Sequence, residues 1–135
     1  MSEYKVFITR RIPEAGLTLL PKECEADIWP LDIPPTKAEL MQRVKGTHGI
    51  LCLLSDTMDA VVMDAAGDQL QVISAYAVGF DNIDIPEASR RGIAVGNTPG
   101  VLTDATADFA FSLLMAAARR VVEAHNSVQA GTWKT

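Results

Sequence analysis

The chain has 135 residues and a mass of 14.6 kDa, enough for one domain or a small domain with an appendage. Hydrophobic residues make up 48% and charged residues 21%, which excludes disorder as a description of the whole, and 2 cysteines are too few for a disulfide-built miniprotein. With 12 Lys+Arg against 17 Asp+Glu the net charge is −5 and no basic block stands out, so neither nucleic acid nor a membrane surface is an expected partner.

The opening MSEYKVFITRR is too short and too charged for a secretory signal. Residues 5–9 (KVFIT), β-branched and aromatic, predict a first strand. Pro13 to Leu20 carries a short helix signal that Pro21 stops. Residues 26–29 (ADIW) predict a second, weaker strand. Thr36-Lys37-Ala38-Glu39 is a capping box, after which Ala38, Leu40, Met41 and Val44 form a buried stripe and Gly46 a terminator. Residues 50–54 (ILCLL) predict a third strand, with Cys52 as a small core residue. Asp59 caps a helix over 60–66 that Gly67 ends, and residues 71–75 (QVISA) predict a fourth strand. Asp84-Ile85-Pro86-Glu87 opens another helix, and Arg90-Arg91-Gly92 closes it with cations at the negative end of its dipole. Residues 93–95 (IAV) predict a fifth strand. Continuous apolar runs of this kind suit strands buried on both faces. Their alternation with helices predicts an α/β fold, an open, doubly wound sheet of five parallel strands that is complete by about Asn97.

Thr98-Pro99-Gly100 breaks the chain, and Thr103 or Asp104 then caps the longest helix, predicted over about 104–122. Its most apolar stretch, 109–118, is well short of the ~20 residues of a membrane span. Apolar side chains over 101–122 cover most of the helix circumference, and such a helix needs burial nearly all round. The expectation is a homodimer, or a higher assembly, paired through residues 101–122.

Ligands of open α/β sheets bind beyond the carboxyl ends of the strands. Two loops fall there, Leu54-Ser55-Asp56-Thr57 after the third strand and Tyr76-Ala77-Val78-Gly79-Phe80-Asp81-Asn82 after the fourth. In the second, Gly79 beside small residues lets a ligand approach the backbone, and exposed amides there can hold a carboxylate or phosphate. By itself the loop is better explained by Gly79 turning the chain with Asp81 or Asn82 capping the turn, since Gly and Asn punctuate most turns. His48 and His125 read as surface or turn histidines. Asp56, Asp59, Asp64 and Asp68 lack the glycine and glutamate of a calcium loop and read as helix caps and solvated surface, so no metal site is expected. Cys24 and Cys52 read as reduced thiols of a cytoplasmic protein.

An ordered series of motifs goes further. Val72-Ile73-Ser74, Val78-Gly79-Phe80-Asp81-Asn82-Ile83-Asp84, Arg91-Gly92-Ile93-Ala94-Val95, Asn97-Thr98-Pro99-Gly100-Val101-Leu102-Thr103 and Ala105-Thr106-Ala107-Asp108 follow one another at matching spacing. Together they resemble the D-isomer-specific 2-hydroxyacid dehydrogenases, and within them the glyoxylate/hydroxypyruvate reductase branch. The opening Val6-Phe7-Ile8-Thr9-Arg10 and Cys52-Leu53-Leu54 resemble that branch as well. The resemblance implies a flavodoxin-like substrate (lid) domain over 1–98. It implies that 99–135 is the interdomain crossover and first helix of an NAD(P)-binding Rossmann domain. It also implies that Val78 and Gly79 offer backbone amides to the substrate carboxylate and that Leu53 lines the substrate pocket. Thr106, near the nicotinamide and phosphates, and Thr98 are the implied cofactor contacts.

The chain contains no G-x-G-x-x-G, the family's dinucleotide fingerprint. It also lacks the family's catalytic arginine, glutamate and histidine. The expectation is an N-terminal piece of a longer enzyme, with no catalytic residue of its own and no reductase activity alone. NAD or NADP serves the intact enzyme and is not expected on this piece, and the substrate is a small 2-oxo or 2-hydroxy acid. The alternative is a non-catalytic small-acid binding module or an assembly partner of another chain. A phospho-receiver fits less well, because Arg10-Arg11 stand where an acidic pair is needed after the first strand.

Overall fold

Each apolar run becomes a short strand in the computed structural model, which describes residues 3–134. The strands are β1 (Tyr4–Ile8), β2 (Cys24–Ile28), β3 (Gly49–Cys52), β4 (Val72–Ala75) and β5 (Ala94–Gly96), one or two residues from their predicted limits. All pairings are parallel and the order is β2-β1-β3-β4-β5, the flavodoxin-like winding. Between them lie α1 (Glu14–Leu17), α2 (Lys37–Arg43), α3 (Ala60–Ala66) and α4 (Ile85–Arg90).

The chain steps from β1 to β2 in one direction and from β2 onward in the other. Right-handed crossovers therefore set α1 on one face of the sheet and α2, α3 and α4 on the opposite face. The pleat sorts side chains accordingly. Phe7, Ile50 and Ile73 stand in register across β1, β3 and β4 and form the main core with Leu40, Val44, Val62 and Met63. Their neighbours Val6, Ile8, Leu51 and Val72 face α1, which is one turn long and leaves an apolar groove of about 330 Å³ on that face. Trp29 is buried, and its indole N–H donates to the Ile33 carbonyl at 2.9 Å.

Local capping explains where the helices begin. The Thr36 box forms as predicted. The Glu39 carboxylate accepts the Thr36 hydroxyl at 2.6 Å and the Thr36 N–H at 2.8 Å, two bonds that hold the Glu39 carboxyl below its ordinary pKa, and the Thr36 hydroxyl in turn accepts the Glu39 N–H at 3.4 Å. Of the predicted stripe, Leu40 and Val44 are buried and Met41 half-buried, whereas Ala38 is exposed because it points away from the sheet at the start of a two-turn helix. Thr36→Ala is expected to lower stability by about 1 kcal/mol in urea denaturation. Asp59 and Asp84 cap α3 and α4 through the Val62 and Glu87 N–H groups. At the end of α4, Arg90 in its last turn and Arg91 at its C-cap both bind Glu87, whose carboxyl they hold down to about 2.

The chain divides into two compact units after Pro99. The second contains two helices where the sequence predicts one. α5 runs Thr103–Ala118 and α6 runs Val121–Gln129, and between them Arg120 adopts φ 52°, a left-handed conformation. The Arg120 N–H closes α5 on the Ala117 carbonyl, and the Arg120 carbonyl accepts the Ala124 N–H at the start of α6. No glycine or proline marks the break, so apolar periodicity carries straight through it. Neither Thr103 nor Asp104 caps α5. Leu102 occupies that position without a side-chain bond, which places Thr103 already inside the first turn.

Candidate functional site

The carboxyl ends of β1, β3 and β4 lead into Thr9-Arg10, Leu53–Asp56 and Tyr76–Asn82, and these three segments converge. At their centre is a buried ion pair. Asp56 is 3% exposed, Arg10 8% and Thr9 0%. One carboxylate oxygen of Asp56 accepts the Arg10 guanidinium at 3.2 Å, and the other accepts the Thr9 hydroxyl and, at 2.9 Å, the Leu53 N–H. Arg10 also donates to the Ser55 hydroxyl at 2.9 Å and to the Thr9 carbonyl. Asp56 is thus no solvated surface residue, contrary to expectation. An arginine at the end of β1 beside it supplies the counter-charge that burial requires.

The same aspartate ties a tight turn, since its own N–H donates to the Leu53 carbonyl at 3.0 Å. Asn82 then joins this turn to the β4 loop. Its side-chain amide donates to the carbonyls of Leu53, at 3.1 Å, and Asp56, at 2.7 Å. An isolated parallel bridge between Met58 and Ile83 continues the seam. Cys52 lies beneath, and burial, reinforced by the Asp56 charge, pushes its thiol up to about 12, so it stays neutral and offers no nucleophile.

Against this fixed turn stands the loop of Val78 and Gly79. The Asn97 side chain donates to the Val78 carbonyl at 2.8 Å, which fixes the peptide plane linking Val78 to Gly79. Among the described residues, neither the Val78 nor the Gly79 N–H has a protein acceptor. Gly79 has no left-handed φ, and a Cβ built on it would meet only Leu54 Cδ2 at 3.7 Å, an ordinary contact. Neither backbone conformation nor packing within the chain requires glycine here. Of the three substrate candidates, Val78 and Gly79 lie side by side in this loop, and the residue of the β3 turn that meets Gly79 is Leu54. Leu53 is half-buried with its main chain engaged on both sides, whereas Leu54, 60% exposed, presents its side chain to Gly79.

Of the cofactor candidates, Thr98 is half-buried and its N–H donates to the Ala77 carbonyl at 2.9 Å, at the base of the Val78 loop. Thr106 is exposed on α5, in the second unit. His48 serves the turn before β3, its Nδ1 accepting the Lys5 N–H at 3.1 Å, and His125 lies on α6. Among the described residues no group of three potential metal ligands occurs, and no helix is long and apolar enough to cross a membrane.

A parallel sheet wound 2-1-3-4-5, with unpaired amides over its carboxyl edge, defines a domain of the open α/β class. The chain belongs to the D-isomer-specific 2-hydroxyacid dehydrogenases: the family described as "D-isomer specific 2-hydroxyacid dehydrogenase, catalytic domain" matches residues 6–132. It is 54% identical over 130 residues to a glyoxylate reductase of Korarchaeum cryptofilum, covering 96% of this chain and 39% of that protein. It is 49% identical over 131 residues to human glyoxylate reductase/hydroxypyruvate reductase, covering 96% and 40%. A crystal structure of a Thermus thermophilus protein superposes with a TM-score of 0.87 at 44% identity, over 97% of this chain and 42% of the other. An NADPH-dependent glyoxylate/hydroxypyruvate reductase from Sinorhizobium meliloti, solved with NADP and malonate, gives 0.76 at 28% identity, over 98% and 40%. The chain spans about 39% of the length of the curated relatives it matches.

Proposed function

We propose that this chain supplies the substrate side of a reductase that transfers a hydride between a nicotinamide cofactor and a small 2-oxo or 2-hydroxy acid of the glyoxylate or hydroxypyruvate class. Residues 1–98 act as its substrate (lid) domain, and 99–135 as the crossover and first helical segment of the cofactor domain. The observation that carries this reading is Gly79, a glycine demanded neither by its own conformation nor by its neighbours, next to two unpaired amides. Its missing Cβ leaves room for a carboxylate to reach the Val78 and Gly79 N–H groups, where charge-assisted hydrogen bonds form. Leu54 walls that position and excludes water from one side, which strengthens those bonds.

The described residues contain no glycine-rich phosphate loop at a strand–helix junction. Thr98 and Thr106 are the residues proposed to touch NAD or NADP, which supplies the hydride in the intact enzyme. The proton-transferring groups of the reaction are not assigned to any residue of this chain, and no reductase turnover is expected from it alone. Two free cysteines fit a reducing compartment, the cytoplasm. A second copy of the chain is the proposed partner of α5, whose side chains include no buried residue.

Titration of the chain with oxalate, a two-carbon acid that does not hydrate, tests the cradle through its backbone amide resonances. Val78 and Gly79 are expected to shift most. Gly79→Val is expected to weaken binding roughly ten- to hundredfold, the loss of one or two such bonds, with the melting temperature unchanged. Binding that survives Gly79→Val, or shifts confined to other loops, overturns the reading. NADH or NADPH consumption with glyoxylate by the purified chain overturns the assignment of chemistry elsewhere.

A further inference from the structure

We propose that Asn82 is a positioning residue of this site: its carboxamide sets the gap between Leu54 and the Val78–Gly79 backbone. The proposal rests on the carboxylate reading above and adds to it a residue that makes no ligand contact. Two loops form the candidate cradle, and each is stiff on its own side. The β3 turn is locked from within by the Asp56 carboxylate, which holds the Leu53 N–H, the Thr9 hydroxyl and Arg10. The β4 loop is anchored from the far side by Asn97 on the Val78 carbonyl and by the Thr98 N–H on the Ala77 carbonyl. Side-chain hydrogen bonds between the two loops come from Asn82, whose amide nitrogen spans the turn by donating to its first and last carbonyls, Leu53 and Asp56. Its main chain adds the bond from the Met58 N–H to the Asn82 carbonyl at 2.8 Å.

The geometry of that bridge is specific to a carboxamide. Both protons of one nitrogen are used on two carbonyls, while the Asn82 Oδ1 is buried without a partner. An aspartate of the same shape would oppose two carbonyl oxygens with a third acceptor. A hydroxyl could reach only one of them, since it has one proton. Losing the bridge leaves the Asp56 turn intact, because its lock comes from Thr9, Arg10 and its own backbone. What changes is the distance of that turn, and of Leu54 upon it, from Gly79. Asn82 therefore controls fit at the cradle more than survival of the fold.

The test compares Asn82→Ala with Thr36→Ala in the full chain. Thr36→Ala removes a helix cap whose side-chain hydrogen bonds are to Glu39 and to neither loop of the cradle, and it serves as the control for general destabilisation. Backbone amide resonances, urea denaturation and oxalate titration are measured on both. Asn82→Ala is expected to move the Val78, Gly79 and Leu54 amide resonances and to weaken oxalate binding about tenfold, the equivalent of losing one to two net hydrogen bonds. Thr36→Ala is expected to do neither at a comparable loss of stability. Asn82→Ser, retaining one donor, is expected to fall between, and it carries the comparison if the alanine variant does not fold. Unmoved resonances at Leu54, Val78 and Gly79, or movement equal to that of Thr36→Ala, overturns the positioning role. If the unsubstituted chain does not bind oxalate, the carboxylate reading fails. The bridge is then decided by the resonances alone, their movement supporting it and their constancy overturning it.

Discussion

Arg10→Ala and Asp56→Ala are each expected to destabilise the chain by about 3–5 kcal/mol, a large share of the 5–15 kcal/mol that folded domains possess. Both side chains are removed from water, 9% exposed for Arg10 and 1% for Asp56, so solvent screens the pair little. Without Arg10, the Asp56 carboxylate retains only the Thr9 hydroxyl and the Leu53 N–H against the cost of a buried charge. Without Asp56, the guanidinium keeps the Thr9 carbonyl and Ser55 but loses its counter-charge, and the turn at Leu53 loses its lock. Removing both charges together, as Arg10→Ala with Asp56→Ala, leaves no orphaned ion. The double variant is expected to be more stable than the sum of the single losses predicts, by roughly 0.5–3 kcal/mol of coupling. Urea denaturation of the four proteins measures this. Single variants that each cost less than about 1 kcal/mol would mean that water reaches the pair and that the turn is held by its backbone instead.

That pair also marks where the sequence stops being legible. The five strands were readable because a parallel sheet covered by helices on both faces turns strands into unbroken apolar runs such as ILCLL and QVISA. The caps at Thr36, Asp59 and Asp84 were readable because the donor and acceptor lie within three residues of each other. Arg10 and Asp56 are separated by 46 positions, and nothing in either local sequence says that the winding brings the ends of β1 and β3 side by side with both charges inside. An aspartate in a polar loop reads as surface until its partner is seen. That Leu54 is the neighbour of Gly79 is a smaller example of the same kind. Spacing places the loop, whereas the turn locked by Asp56 decides which of two adjacent leucines points outward. The break at Arg120 has no sequence mark at all, because a left-handed residue other than glycine is held by its surroundings rather than preferred by its type.

Light scattering on the intact chain is expected to report a dimer rather than the 14.6 kDa monomer, assembled through α5. The helix carries no buried residue. Phe109 and Phe111 are each 65% exposed, Leu114 62%, Leu113 55% and Met115 43%. Soluble monomers seldom leave a contiguous apolar patch beyond a few hundred Å². Five large apolar side chains within seven consecutive residues surround the helix instead of lining one stripe, so a single contact with one neighbour leaves part of it wet. A two-fold pairing of α5 with α5 covers one side of the patch with its own copy and closes the assembly, which an open head-to-tail contact would not do. The break at Arg120 limits this seam to Thr103–Ala118. Val121 and Val122 start a new helix with a different direction, so substitutions there are expected to matter less. Phe111 and Leu114 are three residues apart and share one face of α5. Phe111→Asp or Leu114→Asp places a charge within that seam, where its desolvation opposes pairing. Each is expected to shift the protein to monomer or to insolubility, with the helical circular-dichroism signal retained in the soluble fraction. A monodisperse monomer of the unsubstituted chain with α5 fully formed would show that the patch is tolerated in water and would remove the second copy as its partner.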